Sequence, residues 1–280
     1  TPDMDANSLG GSIEVQSLSA FDRDGLFLQM TAEGSFDENT EQTSPKLALT
    51  ASNQFSVGDG ENNLGVAFGI SSFKRDFGSD NVETGGAWDF EDAALLKEIE
   101  QRDYRISRKR SGLTLNFDFK PSENTDLYWR NLYSEYTDSE IRLANVIEFN
   151  DPAAEGDIVT AEVQRELKDR TETQKILSST VGGQTRVDNW TFDYRIAHSE
   201  SSEDEPQNIA GAVFKIDDDV IADKEFELAF TGSKKISIAA PAEFYQAASY
   251  KLDEVELGST NTNDESNAFN LDIARDLEVG

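Results

Sequence analysis

The chain has 280 residues, 25 of them basic and 55 acidic, for a formal net charge of -30, and it contains no cysteine. Such a charge repels phosphate backbones and excludes a general nucleic-acid role. The missing thiols exclude disulfides, thiol catalysis and zinc–thiolate sites.

No run of about 18 apolar residues occurs, so no transmembrane helix is predicted; strands that cross a membrane carry a weaker signal and are untouched by this. Thr1 to Gly11 lacks the basic start and apolar core of a secretory leader, so the chain reads as processed or as an internal segment. A short strand is predicted over 12–18, after Gly10 and Gly11. A polar joint near 21–25 leads into a long strand at about 25–36, with Leu26, Leu28 and Met30 on one face. A second strand is predicted at 45–56 (Leu47, Leu49, Ala51), followed by a tight turn over 57–61. The third, about 62–74, alternates Leu64, Val66, Phe68 and Ile70 with Gly65, Ala67, Gly69 and Ser71.

An acidic stretch, 76–103, reads as a connector. Within it, Asp89 with Leu95, Leu96 and Ile99 predicts a short loop helix. The fourth strand, 104–119, sets Leu113, Leu115, Phe117 and Phe119 against Thr114, Asn116 and Asp118, and ends at a turn over 121–124. The fifth begins at Thr125 and is expected to reach Glu148, too long for a membrane alone, so its upper half projects. A sixth lies within 159–185, a turn over 186–189 follows, and the seventh runs from Trp190 to about Ser202 with Phe192, Tyr194 and Ile196. The longest connector then extends to about Asn263, with hairpin-like pieces at 226–230 and 236–239. An eighth strand carries Phe269, Leu271, Ile273 and Leu277. The stretches 76–103 and 199–266 supply -18 of the net charge.

Period-two strands with one polar face build either a transmembrane β-barrel or an antiparallel sandwich. Three features favour the barrel. The strands run to ten residues or more, whereas about five or six is usual. Tight turns follow strands two, four and six, while the longest connectors follow three and seven. Aromatics gather at the tight-turn ends, with Phe119, Tyr128 and Trp129 by one turn and Trp190 and Phe192 by another, as in an interfacial girdle. The expected class is therefore all-β, an antiparallel transmembrane barrel segment of about eight strands with long external loops.

Asp5, Ala6, Leu9, Gly10, Gly11 and Ile13, followed by Ser19, Ala20, Phe21 and Asp22, resemble the end of the plug domain in TonB-dependent outer-membrane receptors, particularly the oligosaccharide-importing branch. The motif covers about the first 22 residues. The resemblance implies that 1–22 closes the plug and 23–280 begins a barrel of about 22 strands with a plugged lumen. It implies location in the outer membrane of a Gram-negative bacterium and energy-coupled import of a scarce nutrient, an oligosaccharide or a siderophore-like ligand. The implied partners are a TonB-type energy-coupling protein and lipopolysaccharide or other outer-membrane lipid. The chain departs from the family in lacking most of the plug and a terminal aromatic strand, and so reads as an internal fragment. The rival reading is a secreted acidic β-sandwich binding module or adhesin.

No residues assemble a catalyst, and neither an enzyme nor a cofactor is expected. His198, the sole histidine, reads as a rim residue. Asp217, Asp218, Asp219 and Asp223 lack EF-hand spacing and read as a solvated acidic loop rather than a calcium site. Arg102, Arg105, Arg108, Lys109 and Arg110 form the basic cluster; by parity Arg108 and Arg110 face the polar side and Lys109 the opposite one. They either line a ligand path or balance neighbouring acid. Trp88, Phe90, Phe244, Tyr245 and Tyr250 lie in the long loops, where aromatics either stack on sugar rings or pack the loops together. With Arg108 and Arg110 they are the candidate ligand-binding residues.

Overall fold

A computed structural model of the chain describes residues 17–84, 88–90, 94–230 and 236–277. The strands, in chain order, are β1 (Phe27–Asp37), β2 (Gln42–Phe55), β3 (Leu64–Glu83), the two-residue β4 (Trp88–Asp89), β5 (Leu95–Ser122), β6 (Thr125–Ala153), β7 (Ile158–Val159), β8 (Ala161–Val187) and β9 (Trp190–Ile216). A short helix α1 (Asp218–Ile221), strands β10 (Phe226–Phe230) and β11 (Ile236–Ala239), and helix α2 (Ala242–Tyr245) precede the last strand, β12 (Tyr250–Arg275). The main sheet is an antiparallel meander in the order β1-β2-β3-β5-β6-β8-β9-β12, with β4 added against β5. Among the described residues it stays open, with β1 and β12 at its edges.

Turn chemistry sets the register at one end. The β8–β9 hairpin closes through Asp188 and Asn189, with Asp188 at φ 53°, a left-handed conformation that Asp tolerates and a tight hairpin turn requires. The β5–β6 hairpin closes through Glu123 and Asn124. From such turns β5 and β6 stay in register over more than twenty residue pairs, from Phe119↔Leu127 to Glu98↔Glu148.

The two faces differ sharply. One carries Leu113, Leu115, Phe117 and Phe119 of β5, Leu127 and Trp129 of β6, Val181 of β8, and Phe192, Tyr194 and Ile196 of β9. This apolar face is uncovered: Leu28, Met30, Leu47, Val181, Ile196 and Phe269 are each more than half exposed. No second sheet packs against it among the described residues, as a sandwich would require.

The opposite, polar face is laced with ion pairs. Arg102 meets Glu83 and Glu100, each at 2.5 Å. Arg142 meets Glu166 at 2.7 Å, and Arg170 sits 3.8 Å from each of Glu140, Glu172 and Glu205. Near the tight-turn end the same face is covered by residues 18–23. Asn116 Nδ2 donates to the Leu18 carbonyl at 2.8 Å, Ser19 Oγ donates to Asp118 at 2.8 Å, and Gln54 Nε2 donates to the Ala20 and Arg23 carbonyls. Ser19 and Asp22 form a capping box on the single 3-10 turn at 20–22, and Ala20 is fully buried.

The far ends of β5, β6 and β8 extend well past the apolar band. There the uncovered side of the sheet acquires a cap: β7, β10 and β11 form a small second sheet. Phe226, Leu228, Ile221 and Phe244 pack on Leu96, Ile99, Ile147 and Val163 as the main hydrophobic core.

Several expectations are corrected. Leu95 to Gln101 is the beginning of β5 and not a helix: Leu96 and Ile99 are fully buried in the cap, where strand pairing with β6 satisfies the backbone. Residues 76–83 and 95–103 are paired strand rather than connector, as are 203–216 and 250–262. These segments lack apolar alternation because away from the band both faces bear polar side chains. The strands expected at 226–230 and 236–239 are present as β10 and β11. The strand expected at 12–18 lies almost entirely outside the described residues, as does most of the segment 1–22.

Candidate functional site

Two rows of side chains cross the extension just below the cap core. One is Val82, Gln101, Asn145 and Arg165, and the next is Asp80, Asp103, Leu143 and Leu167, each row paired in register across β3, β5, β6 and β8. They form the floor of a cleft of about 920 Å³, roofed by Ile236, Ala247 and Tyr250 from the cap. That volume lies at the upper end of the range for small-ligand sites. The cleft-facing side chains include the amides of Gln101 and Asn145, the carboxylates of Asp80 and Asp103, leucine and isoleucine, and the aromatic rings of Phe214 and Tyr250. The cleft is equipped to hydrogen-bond hydroxyls while covering apolar ring faces.

Arg165 ties floor to roof. Its guanidinium lies over the Tyr250 ring, 4.2 Å from the centroid, and donates through Nη2 to the Phe244 carbonyl at 3.0 Å. Tyr250 Oη donates to the same carbonyl at 2.9 Å, and burial pushes the phenol above its ordinary pKa. Arg165 Nε is buried and meets no acceptor among the described residues. A buried donor without a partner is costly in a folded protein.

The predicted ligand-binding residues are distributed as follows. Tyr250 is in the cleft. Phe244 is buried in the cap core, edge-on to Phe226 at 6.2 Å and to Tyr245 at 5.1 Å, so its ring packs the loop and is not free to stack on a ligand. Tyr245 is exposed. Trp88 packs against the same core, donates its indole N–H to Thr84 at 3.0 Å and stacks on Phe90, whose other side is exposed. Arg108 and Arg110 lie on the polar face, where parity places them: Arg108 pairs with Asp138 at 3.3 Å, and Arg110 lies over the Tyr136 ring. Lys109 is on the opposite side, in register with Lys74. The structure therefore does not gather the seven into one site.

His198 is on the apolar side at the upper limit of the band, between Asn267 at 2.8 Å and Glu200 at 3.1 Å. Hydrogen bonds to the Asn267 amide oxygen and the Glu200 carboxylate raise its pKa. Asp217 ion-pairs with Lys251, and Asp218 and Asp219 begin α1. No cluster of three or more His, Asp or Glu side chains arranged to hold a metal occurs among the described residues.

Sequence reasoning missed Gln101, Asn145, Leu143, Leu167 and Arg165. One signal was available: a tight turn at 123–124 and a strand reaching Glu148 require a partner strand starting near residue 98, which makes 95–103 strand. Comparison with family models, curated proteins and solved structures gives no match.

Proposed function

We propose that the chain is part of the wall of an outer-membrane β-barrel of the TonB-dependent receptor kind, serving energy-coupled uptake of a scarce nutrient. The observation that carries this reading is the oblique course of the exposed apolar band. On β2 the band reaches Leu47, whose row continues through Ser72, Ser111, Glu135, Lys175 and Ser202, all polar. On β9 it stops at Ile196, which lies three rows lower, level with Val181, Trp129 and Phe117. At the other edge it ends at Phe119 on β5 but at Trp190 on β9, two rows further down.

The upper edge falls six residues, about 20 Å, across five strand spacings of about 24 Å in all, and the lower edge falls four, about 14 Å, across three spacings of about 14 Å, slopes of about 40–45°. Strands of membrane barrels tilt by about 35–45° from the membrane normal, so a planar hydrocarbon slab would mark such a sheet with a band of this slope. The opposite face, polar and salt-bridged, suits an aqueous lumen, and residues 18–23 lie on it where the end of a plug would enter. The remainder of β5, β6, β8 and β9 then stands outside the membrane. It carries the cap, whose cleft suits a polyhydroxylated ligand by its amides, carboxylates and Tyr250.

The test is membrane fractionation of the source cell with the full-length protein followed by its peptides. A heat-modifiable outer-membrane band is the expected result. A soluble species that carries these peptides and shows no heat modification would overturn the proposal.

A further inference from the structure

The cleft beneath the cap and the exposed apolar band lie on one side of the sheet. β5, β6 and β8 pair without a bulge from the row Phe117, Trp129 and Val181 in the band to the row Gln101, Asn145 and Arg165 in the cleft floor. On all three strands these rows are an even number of residues apart, so their side chains project to the same side. The back of the floor is closed. On the polar face Arg102 is clamped by Glu83 and Glu100, and Arg142 of β6 meets Glu166 of β8. In the membrane reading, on which this inference rests, the polar face lines the lumen. The cleft therefore opens on the outer flank of the wall, with the paired sheet between it and the lumen.

Its height excludes a lipid headgroup as the occupant. Gln101 lies about 40 Å along β5 beyond Leu113, where the band ends on that strand. With a tilt of about 40° this is about 30 Å along the membrane normal. The headgroup layer extends only about 5–8 Å from the hydrocarbon core.

The floor is long and mixed in chemistry. From Val82 to Phe214 it crosses four strand spacings, about 19 Å, which suits an extended chain of sugars better than a single ring. The rings of Phe214 and Tyr250 offer apolar surface, and the amides of Gln101 and Asn145 hydrogen-bond hydroxyls. Asp80 and the net charge of -30 disfavour a phosphorylated or carboxylated glycan.

We propose that the cleft is a retention site for neutral polysaccharide, on the outer flank of the wall and apart from the path through the lumen. Polymer too large to pass is held there at the cell surface, and its shorter pieces enter by the lumen.

The test uses intact cells that display the full-length protein, with fluorescent dextran, laminarin and mannan as probes. Uptake of the matching short oligosaccharide and heat modifiability are recorded on the same cells. At least one polysaccharide should be retained. Asn145→Trp should lower its retention by about tenfold or more, the effect of losing one or two hydrogen bonds, while uptake at saturating oligosaccharide continues. Gln101→Ala, which adds no bulk, should weaken retention in the same direction. Lys109→Trp, on the same side of the sheet but below the cleft, should not.

Heat-modifiable cells that retain none of the three, or that retain one equally with Asn145→Trp and Gln101→Ala, would overturn the site alone. Retention and saturated uptake lost together in a heat-modifiable variant would place the cleft on the import path and overturn its separation from the lumen. Retention by the purified protein of the cell's own lipopolysaccharide in place of the three probes would assign the cleft to a glycan of the same membrane and overturn the proposal. Absence of heat modifiability in the unsubstituted protein would overturn the membrane reading, and the outer position of the cleft with it.

Discussion

Phe117 on β5 and Trp129 on β6 stack with ring centroids 5.4 Å apart and planes 20° from parallel, on a face that no other part of the described chain covers. Directly behind them, on the other side of the same strands, Asn116 and Asp118 are buried under residues 18–23. Two adjacent residues of one strand thus meet opposite environments, an arrangement natural to a wall between lipid and a plugged lumen.

Charge placement on the two faces should therefore have unequal effects. Phe117→Arg is expected to cost about 2–4 kcal/mol of membrane stability, the range for arginine on a lipid-facing barrel position near the midplane. Thr114→Arg lies on the polar face beside Gly69, where there is no side chain opposite, and should assemble normally. The amount of heat-modifiable protein in outer membranes measures both, and equal tolerance would reverse the facing assigned here.

The seat of residues 18–23 depends on Gly65. A Cβ there would stand 3.0 Å from Ala20 Cβ and 3.1 Å from the Phe21 ring. Gly65→Leu should displace the segment, at about 1–3 kcal/mol, the usual range for overpacking. Gly34→Leu, which meets nothing within 4 Å, should not. Trypsin cleavage after Arg23 reports the difference, with faster cutting expected in Gly65→Leu alone.

The strands were readable wherever one face is apolar and the other polar, as at 64–70, 113–119 and 190–196, because period two has no competing interpretation there. It failed where that contrast ends. Arg102, Arg142 and Arg170 are held in strands by cross-strand carboxylates, which leave no hydrophobic alternation to read. Leu95, Leu96 and Ile99 carry helical spacing because their apolar partners, Phe226 and Phe244, come from more than a hundred residues away. The cleft was invisible for the same reason: Arg165 and Tyr250 meet only once the cap is built.

The cap should loosen when its link to the sheet is cut. Tyr250→Phe removes the hydrogen bond to the Phe244 carbonyl and should cost about 1 kcal/mol locally. Faster hydrogen exchange in β10, with unchanged exchange in β8 near Val181, is the expected pattern. Asn145→Trp should instead leave the cap intact and block the cleft. Loss of binding to a glycan that the unsubstituted protein retains would show it.

Acid pairing in the extension has a pH signature. Burial, with Glu100, Glu148 and Glu166 nearby, raises the pKa of Glu98 above its ordinary value of 4.5. The folded state therefore holds this proton more tightly than the unfolded chain. The resulting stability is present at low pH and is lost as pH rises from about the ordinary carboxylate value through the raised one. Glu98→Gln should remove that dependence and make the extension more stable at pH 7 than the unsubstituted protein. Hydrogen exchange of β5 and β6 beyond Glu140, followed across pH, checks the sign.

The most direct test of the central claim is a nitroxide scan of positions 113 to 119 in the full-length protein reconstituted in vesicles; this chain's lack of cysteine adds no competing thiol. Oxygen accessibility should alternate with period two, high at 113, 115, 117 and 119 and low at 114, 116 and 118. A water-soluble nickel probe should fail to reach the odd positions. Odd positions shielded from oxygen, or open to the nickel probe, would contradict a lipid-facing wall.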